Sequence, residues 1–258
     1  MEKTKIKKQK DLPIACFSRP SQLDDLAGNL ALMEEAMAEG SREGWDLLVF
    51  GEAFLQGFEA FSFRYREDVH KALFVRSPEI TLIRHWARDY KIGVAFGFLE
   101  NEAGGLYSSY LVLDKKGGLA GHYRRVSRGW KTKEACADYR EGKHFISLDF
   151  EGWRLTPLIC GDFWEDDLLA QIIDRDPETD LFLWPVHCDY DQALWEESEC
   201  QAYRERTRIL EKPILLVNNY IDQADRAKGG VYLWHQGKEV DSLPYGSPGL
   251  KELTFRAG

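Results

Sequence analysis

Nowhere in the 258 residues do about 18 apolar residues run together, so the sequence offers no membrane-spanning helix. The opening "MEKTKIKKQKD" is basic, yet no apolar segment of signal-peptide length follows it. The cytoplasm is therefore the expected location, with no membrane as partner. Cysteine is sparse. The five present, Cys16, Cys136, Cys160, Cys188 and Cys200, are odd in number, widely spaced and free of CxxC pairing, which suggests neither a disulfide framework nor a zinc site and leaves room for a single reactive thiol. Internal repeats, low-complexity tracts and Pro/Gly/Ser-rich linkers are also missing. One domain over residues 1–258 is expected, with 1–11 as a flexible N-terminal segment. Positive charge is in deficit: 34 Lys and Arg against 43 Asp and Glu give a net charge of -9. That balance argues against nucleic acid or an anionic membrane as the main partner, since both select for clustered Lys and Arg. The one basic cluster, "HYRRVSRGWKTK" at 122–133, is a local feature.

What is present suits a sizeable core: 44% of the residues are hydrophobic and 13% aromatic. Short apolar runs alternate with helical patterns. "LPIACFS" (12–18) reads as a strand, 21–40 as an amphipathic helix, "DLLVFGE" (46–52) as a strand, 77–91 as a helix with a Ser cap and Pro at its first position, and "IGVAFGFLE" (92–100) as a third strand. A hairpin follows over 107–126 with a Lys-Gly-Gly turn. The strand "RLTPLIC" (154–160), a helix over 163–175, a strand at 180–186, a long helix over 191–211, a strand at 213–219 and a closing hairpin within 229–246 complete the pattern. Such alternation, interrupted by hairpins, predicts an α/β fold with a mixed sheet, or two sheets, covered by helices.

Ligands of open α/β sheets bind beyond the carboxyl ends of the strands. Three of those ends carry unusual chemistry: Glu52 closes "DLLVFGE", Arg124 and Arg125 close "LAGHYRRV", and Cys160 closes "RLTPLIC". A cysteine inside a strand is ordinarily a small hydrophobe. One at the tip, facing a helix start, sits where thiolates are stabilised. An acid, a cation and a thiol are the three parts that acyl transfer through a thioester needs.

The sequence resembles the carbon-nitrogen hydrolase (nitrilase) superfamily. "LLVFGEAFLQGF" is similar to that family's glutamate segment, with Glu52 in the Glu position and Gly57-Phe58 as its Gly-aromatic pair. "LICGDFWED" is similar to the nucleophile motif at Cys160 and Asp162, and "HYRRV" corresponds to the family's Tyr-Arg-Lys. Glu134, ahead of the Gly of the "YREG" segment, resembles a second active-site glutamate, and "GGVYLWHQGKEV" resembles the final Gly-rich hairpin. The resemblance runs from about residue 12 to about residue 255. It implies a four-layer α-β-β-α sandwich, assembled as a homodimer or larger oligomer through the helix after the nucleophile. It also implies a cysteine hydrolase of non-peptide C–N bonds in a small amide or N-carbamoyl compound, with no metal or organic cofactor.

One departure is chemical. Where the family has Lys, this chain has Arg125, which keeps the positive charge but is longer, planar and never deprotonated. Lys131 is a substitute only if "SRGW" folds back, because six extended residues span about 20 Å. In the reading that results, Glu52 takes the Cys160 proton, Arg125 or Lys131 holds the oxyanion with the N–H after Cys160, Gly161 lets backbone approach the substrate, and Glu134 orients the cation. Phe163 and Trp164 are candidate pocket walls. The departure keeps a second expectation open, a binding protein without turnover. A glutamine amidotransferase would need a histidine partner for its cysteine, and none of the six histidines lies in a motif tied to Cys160. His187, Cys188 and Asp189 do not form a metal set, because adjacent strand residues point to opposite faces.

Overall fold

Strand β1 (Leu12–Ser18) divides its side chains between two cores, and that division sets the layering. Leu12, Ile14 and Cys16 join one buried cluster. Ala15 and Phe17 join another, as the two-residue period of a strand requires. The same alternation repeats in β2 (Leu47–Val49) and β3 (Gly93–Glu102): Leu47, Val49 and Ala95 face the first cluster, Leu48, Val94, Phe96 and Phe98 the second. The protein is seen here in a computed structural model that describes residues 10–256. The segment 1–9, most of the stretch expected to be flexible, lies outside the described residues.

With β4 (Gly105–Leu113), β5 (Leu119–Arg124) and β12 (Gly249–Phe255), these strands form a six-stranded sheet in the order β12-β1-β2-β3-β4-β5. A second sheet has the order β11-β10-β9-β8-β7-β6. Its strands are β6 (Leu148–Phe150), β7 (Trp153–Pro157), β8 (Leu181–Val186), β9 (Ile214–Asn218), β10 (Val231–His235) and β11 (Lys238–Leu243). Each sheet has three parallel strands at its middle, β1-β2-β3 and β7-β8-β9, flanked by antiparallel ones. The parallel runs read as continuous apolar stretches because both of their faces are covered. Ile14, Val49 and Val112 of the first sheet and Leu155 and Leu181 of the second belong to one cluster, so the sheets pack face to face.

Helices α1 (Leu26–Glu43) and α2 (Pro78–Tyr90) cover the outer face of the first sheet through Leu30, Met33, Met37, Ile80 and Ile83. On the outer face of the second sheet, Trp184 stacks on Tyr203 of α4 (Cys200–Arg206) at 5.1 Å, beyond the short α3 (Leu169–Ile173). The result is the expected α-β-β-α sandwich. Among the described residues, no helix is long and apolar enough to cross a membrane.

Some boundaries moved for identifiable reasons. α1 starts at Leu26 rather than at residue 21, because the Asp25 carboxylate caps Gly28 N and because Pro20–Ser21 pair as a short strand with Tyr220–Ile221. α2 keeps its predicted Ser77 cap and ends at Lys91, in the left-handed conformation with φ 55°. The helix expected over 163–175 is broken into tight turns at Cys160–Phe163 and Asp166–Leu168 before α3 begins. The one expected over 191–211 passes through a π turn at Trp195–Glu199, where Trp195 leaves the helix surface to stack on Tyr245 at 4.9 Å. Strand β12, unread in the sequence, returns to the first sheet and pairs with β1 from Leu12↔Phe255 to Ser18↔Gly249.

Gly97 in β3 lets the loop after β2 lie directly on the strand: a Cβ there would stand 2.3 Å from Ala53 N and 2.8 Å from the Glu52 carbonyl carbon. Those are backbone atoms and have no rotamer in which to escape. Gly97→Ala should cost about 1–3 kcal/mol and lower the midpoint of a thermal melt by about 2–4 °C per kcal/mol.

Candidate active site

Glu52 stands in the loop beyond β2, and its side chain is 1% exposed. Its backbone is fixed from the second sheet: its N–H donates to the Val186 carbonyl at 3.3 Å, and its carbonyl accepts from Asn219 Nδ2 at 2.6 Å. Oε1 accepts from Ser108 Oγ at 2.9 Å and from Arg125 Nη1 at 3.0 Å. Oε2 is buried without a hydrogen-bond partner among the described residues. A buried carboxylate oxygen left open in this way costs free energy unless something outside the chain completes it.

Arg125 follows β5 and is 4% exposed. Its N–H donates to the Ser108 carbonyl at 2.9 Å and its carbonyl accepts from Gly142 N at 2.7 Å. Nε donates to Ser127 Oγ at 2.7 Å and Nη1 to Glu52. Nη2 lies against Gly161, where a Cβ would come within 2.2 Å of it. Burial works against the charge, but Glu52, Cys160 and Asp162 outweigh it, and the guanidinium is held protonated more firmly than usual. Next door, Arg124 turns the other way, onto the fully buried Glu100 at 2.8 Å from Nε and 2.5 Å from Nη2. The end of β5 is thereby clamped on both sides.

Cys160 does not end a strand. β7 stops at Pro157, and Cys160 opens the turn Cys160–Phe163 with φ 43°, a left-handed conformation uncommon in a residue other than glycine. No long helix starts there to lend its dipole. The turn is held instead by Trp184 Nε1, which donates to the Cys160 carbonyl at 2.9 Å, and by Asp162. Fully buried, Asp162 accepts from Ile159 N at 2.8 Å and Tyr123 Oη at 2.6 Å on one oxygen, and from Val126 N at 2.9 Å and Ser127 N at 2.7 Å on the other. Burial pushes this carboxyl up, while Arg125, Tyr123 and the backbone donors pull the other way. Four donors with no acceptor are the surroundings of a carboxylate.

The structure separates the two candidate cations. Lys131 Nζ reaches the Tyr139 carbonyl and Glu141, each at 2.5 Å, and not Glu52. Glu134 is exposed, and none of the cation's ion pairs runs to it. The glutamate directly before Gly142 in "YREG" is Glu141, so the expectation that Glu134 orients the cation is corrected. Phe163 is fully buried, edge-on to Trp184 at 5.1 Å, and offers no surface to a substrate. Trp164 is 37% exposed and leans on Tyr203 with the Arg206 guanidinium 5.5 Å above its ring.

Sequence reasoning missed Ser108, Ser127 and Asn219. The double Asn that ends the apolar "PILLVNN" was the available signal, whereas two serines inside ordinary strand and loop text gave none. Cys188, considered in the sequence only as part of a metal set, has its thiol 3.1 Å from Tyr203 Oη. A hydrogen bond with Cys160 and then burial push that thiol well above the usual range.

A family model described as carbon-nitrogen hydrolase matches residues 14–220. An aliphatic nitrilase of Rhodococcus rhodochrous is 31% identical over an alignment of 162 residues that covers 58% of this chain and 43% of that protein. The chain thus spans less than half the length of that curated relative. An amidase from Nesterenkonia sp. has the same fold, with a TM-score of 0.74 at 19% identity over 95% of this chain and 90% of that one. A mutant of the amidase from Nesterenkonia sp. AN1, likewise at a TM-score of 0.74 and 19% identity over 95% of this chain, carries a covalent addition of the acetamide moiety of fluoroacetamide at its active site cysteine.

Two outcomes are expected of the carboxylates. Asp162→Asn sets an NH2 against two N–H or O–H donors and should cost about 3 kcal/mol or more, read as a lowered midpoint in urea. Glu100, despite its burial, is held at about 2 by Arg124, His122 and Ser109. Its folded value lies below the unfolded one near 4.3, so its contribution to stability is complete above that pH and is lost as the pH falls toward about 2. Denaturant titrations over that window should show a flatter acid limb for Glu100→Gln.

Proposed function

This chain belongs to the carbon-nitrogen hydrolase family, and from that premise we propose that it hydrolyses the C–N bond of a small amide or N-carbamoyl compound through a thioester on Cys160. The observation that carries the reading is the unpartnered, buried Oε2 of Glu52 on a carboxylate whose other oxygen is tied to Arg125. An enzyme base has to keep one oxygen open for the proton it will carry.

The steps follow from those positions. Glu52 accepts the Cys160 proton on Oε2 as the thiolate attacks the carbonyl carbon, and the carbonyl π pair moves onto oxygen. Arg125 Nη2 and the Gly161 N–H donate to that oxyanion. As the tetrahedral centre collapses, the C–N bond breaks and Glu52 gives its proton to the departing nitrogen. A water enters, Glu52 takes one of its protons, and the hydroxide adds to the thioester carbonyl; as that centre collapses the C–S bond breaks, Glu52 returns its proton to the Cys160 sulfur, and a carboxylic acid leaves. Arginine never supplies a proton at these pH values, so every transfer belongs to Glu52.

The acetamide adduct on the cysteine of the similar amidase mutant supports an acyl-sized ligand at the corresponding thiol. A net charge of -9 supports a small molecule over nucleic acid as partner. The five unpaired cysteines suit a reducing compartment such as the cytoplasm. Four exposed apolar side chains, Trp164, Ile173, Leu194 and Ile209, lie in the layer that follows Cys160 and support a homodimer formed there, which light scattering would register as a doubled mass.

Release of amine or ammonia from a panel of small amides, ureido acids and nitriles tests the reading. Cys160→Ala should abolish turnover, Arg125→Ala should lower kcat by about 100-fold to 1000-fold, and Lys131→Ala should leave it near wild type. If every substrate fails and iodoacetamide labels Cys160 no faster than a free thiol, the chain is a binding protein on this scaffold.

A further inference from the structure

His187 follows strand β8 with its side chain 3% exposed, and no step above employs it. Its ring stacks on Phe58 with centroids 5.5 Å apart. The two ring nitrogens reach opposite ways. Nε2 lies 3.1 Å from Glu59 Oε2, close in distance though not aligned as a hydrogen bond. Nδ1 lies 3.2 Å from Asn219 Nδ2, and that same amide nitrogen donates to the backbone carbonyl of Glu52 at 2.6 Å.

The Glu52 carbonyl and the Glu59 charge decide where the hydrogens sit. Arg226 donates to Glu59 Oε1 at 2.7 Å. Burial pushes the Glu59 carboxyl up, but His187 and Arg226 more than offset it and hold the carboxyl below its ordinary range. The Glu52 carbonyl fixes Asn219 Nδ2 as a donor, so Nδ1, 3.2 Å from it, is the acceptor and the ring hydrogen lies on Nε2, toward the ionised Glu59. Asn219 must then turn its NH2 toward His187, with the second hydrogen on Glu52. The remaining atom of that amide, Oδ1, is left buried with no partner among the described residues. It packs on Gly51, where a Cβ would come within 2.5 Å of it. A flipped amide would set this oxygen against the Glu52 carbonyl oxygen, so the acceptors on the other two sides dictate the orientation.

We infer that His187 is a positioning residue for the base: with Glu59 it orients the Asn219 amide, and Asn219 fixes the Glu52 backbone and thereby the place of the open Oε2 that serves the Cys160 thiol. The inference rests on the hydrolase reading for the meaning of Glu52. It does not need turnover for its test, because the base also governs how fast the thiol reacts.

The experiment follows iodoacetamide labelling of Cys160 by peptide mass spectrometry in the full chain, alongside kcat and KM on the best amide. His187→Phe keeps the stack on Phe58 but removes the acceptor. It should slow labelling and lower kcat by about 10-fold to 100-fold, as displaced catalytic groups do, with KM within about 2-fold. His187→Asn, whose Oδ1 stands near the place of Nδ1, should recover most of both rates. Unchanged labelling and kcat in His187→Phe, or equal damage in His187→Asn, overturns the inference. Should His187→Phe not fold, Glu59→Gln decides: it keeps the shape and removes the charge that faces the Nε2 hydrogen, so slower labelling supports the inference and an unchanged rate overturns it. A wild type that labels rapidly yet cleaves no amide would sink the hydrolase reading alone, and the labelling rates of the variants would still decide this one.

Discussion

Asp162 joins the turn that carries Cys160 to the loop that carries Arg125, and it does so with one carboxylate and four donors from two separate stretches of chain. Ile159 belongs to the thiol's own turn; Val126, Ser127 and Tyr123 belong to β5 and the residues after it. Because the carboxylate is buried, none of those donors has water as an alternative, and each constrains the rest. The position of the thiol relative to the guanidinium therefore does not depend on a helix dipole or on the lid of a pocket. It depends on a knot of hydrogen bonds beneath both residues.

The arginine is accommodated by its neighbours. A guanidinium has more edge to satisfy than an ammonium, and here the extra edge meets Ser127 at Nε while Nη1 keeps the bond to Glu52. Its length is taken up at Gly161, the one residue of the turn whose lack of a side chain leaves space for Nη2. Seen from the sequence alone, Arg125 looked like a defect in a motif. Within the fold it is one member of a matched set with Ser127 and Gly161, and Lys131 serves a different loop.

How much of this was legible varied with how local the cause was. The alternation of Leu12, Ile14 and Cys16 against Ala15 and Phe17 was readable because strand period is a local property. So were the Ser77 cap and the order of Glu52, Arg125 and Cys160 along the chain. The break of the helix after Cys160 was not, since it follows from Asp162 being claimed by residues more than 30 positions away. Strand β12 escaped for the same reason: only its pairing with β1, at the far end of the chain, makes it a strand. Asn219 was written in the sequence as a polar residue after an apolar run, but nothing local said that its partner would be the backbone of Glu52, 167 residues away.

The left-handed backbone at Cys160 limits what the position can hold. At φ 43° a side chain costs about 1–2 kcal/mol relative to glycine. Eight other described residues with side chains sit in the same region, Ala53 and Phe63 among them, so left-handed turns are a recurring device of this chain and not a mark of Cys160 alone. What the turn excludes is a β-branched residue, for which that conformation is a genuine outlier, and an unbranched side chain such as cysteine is among those it admits.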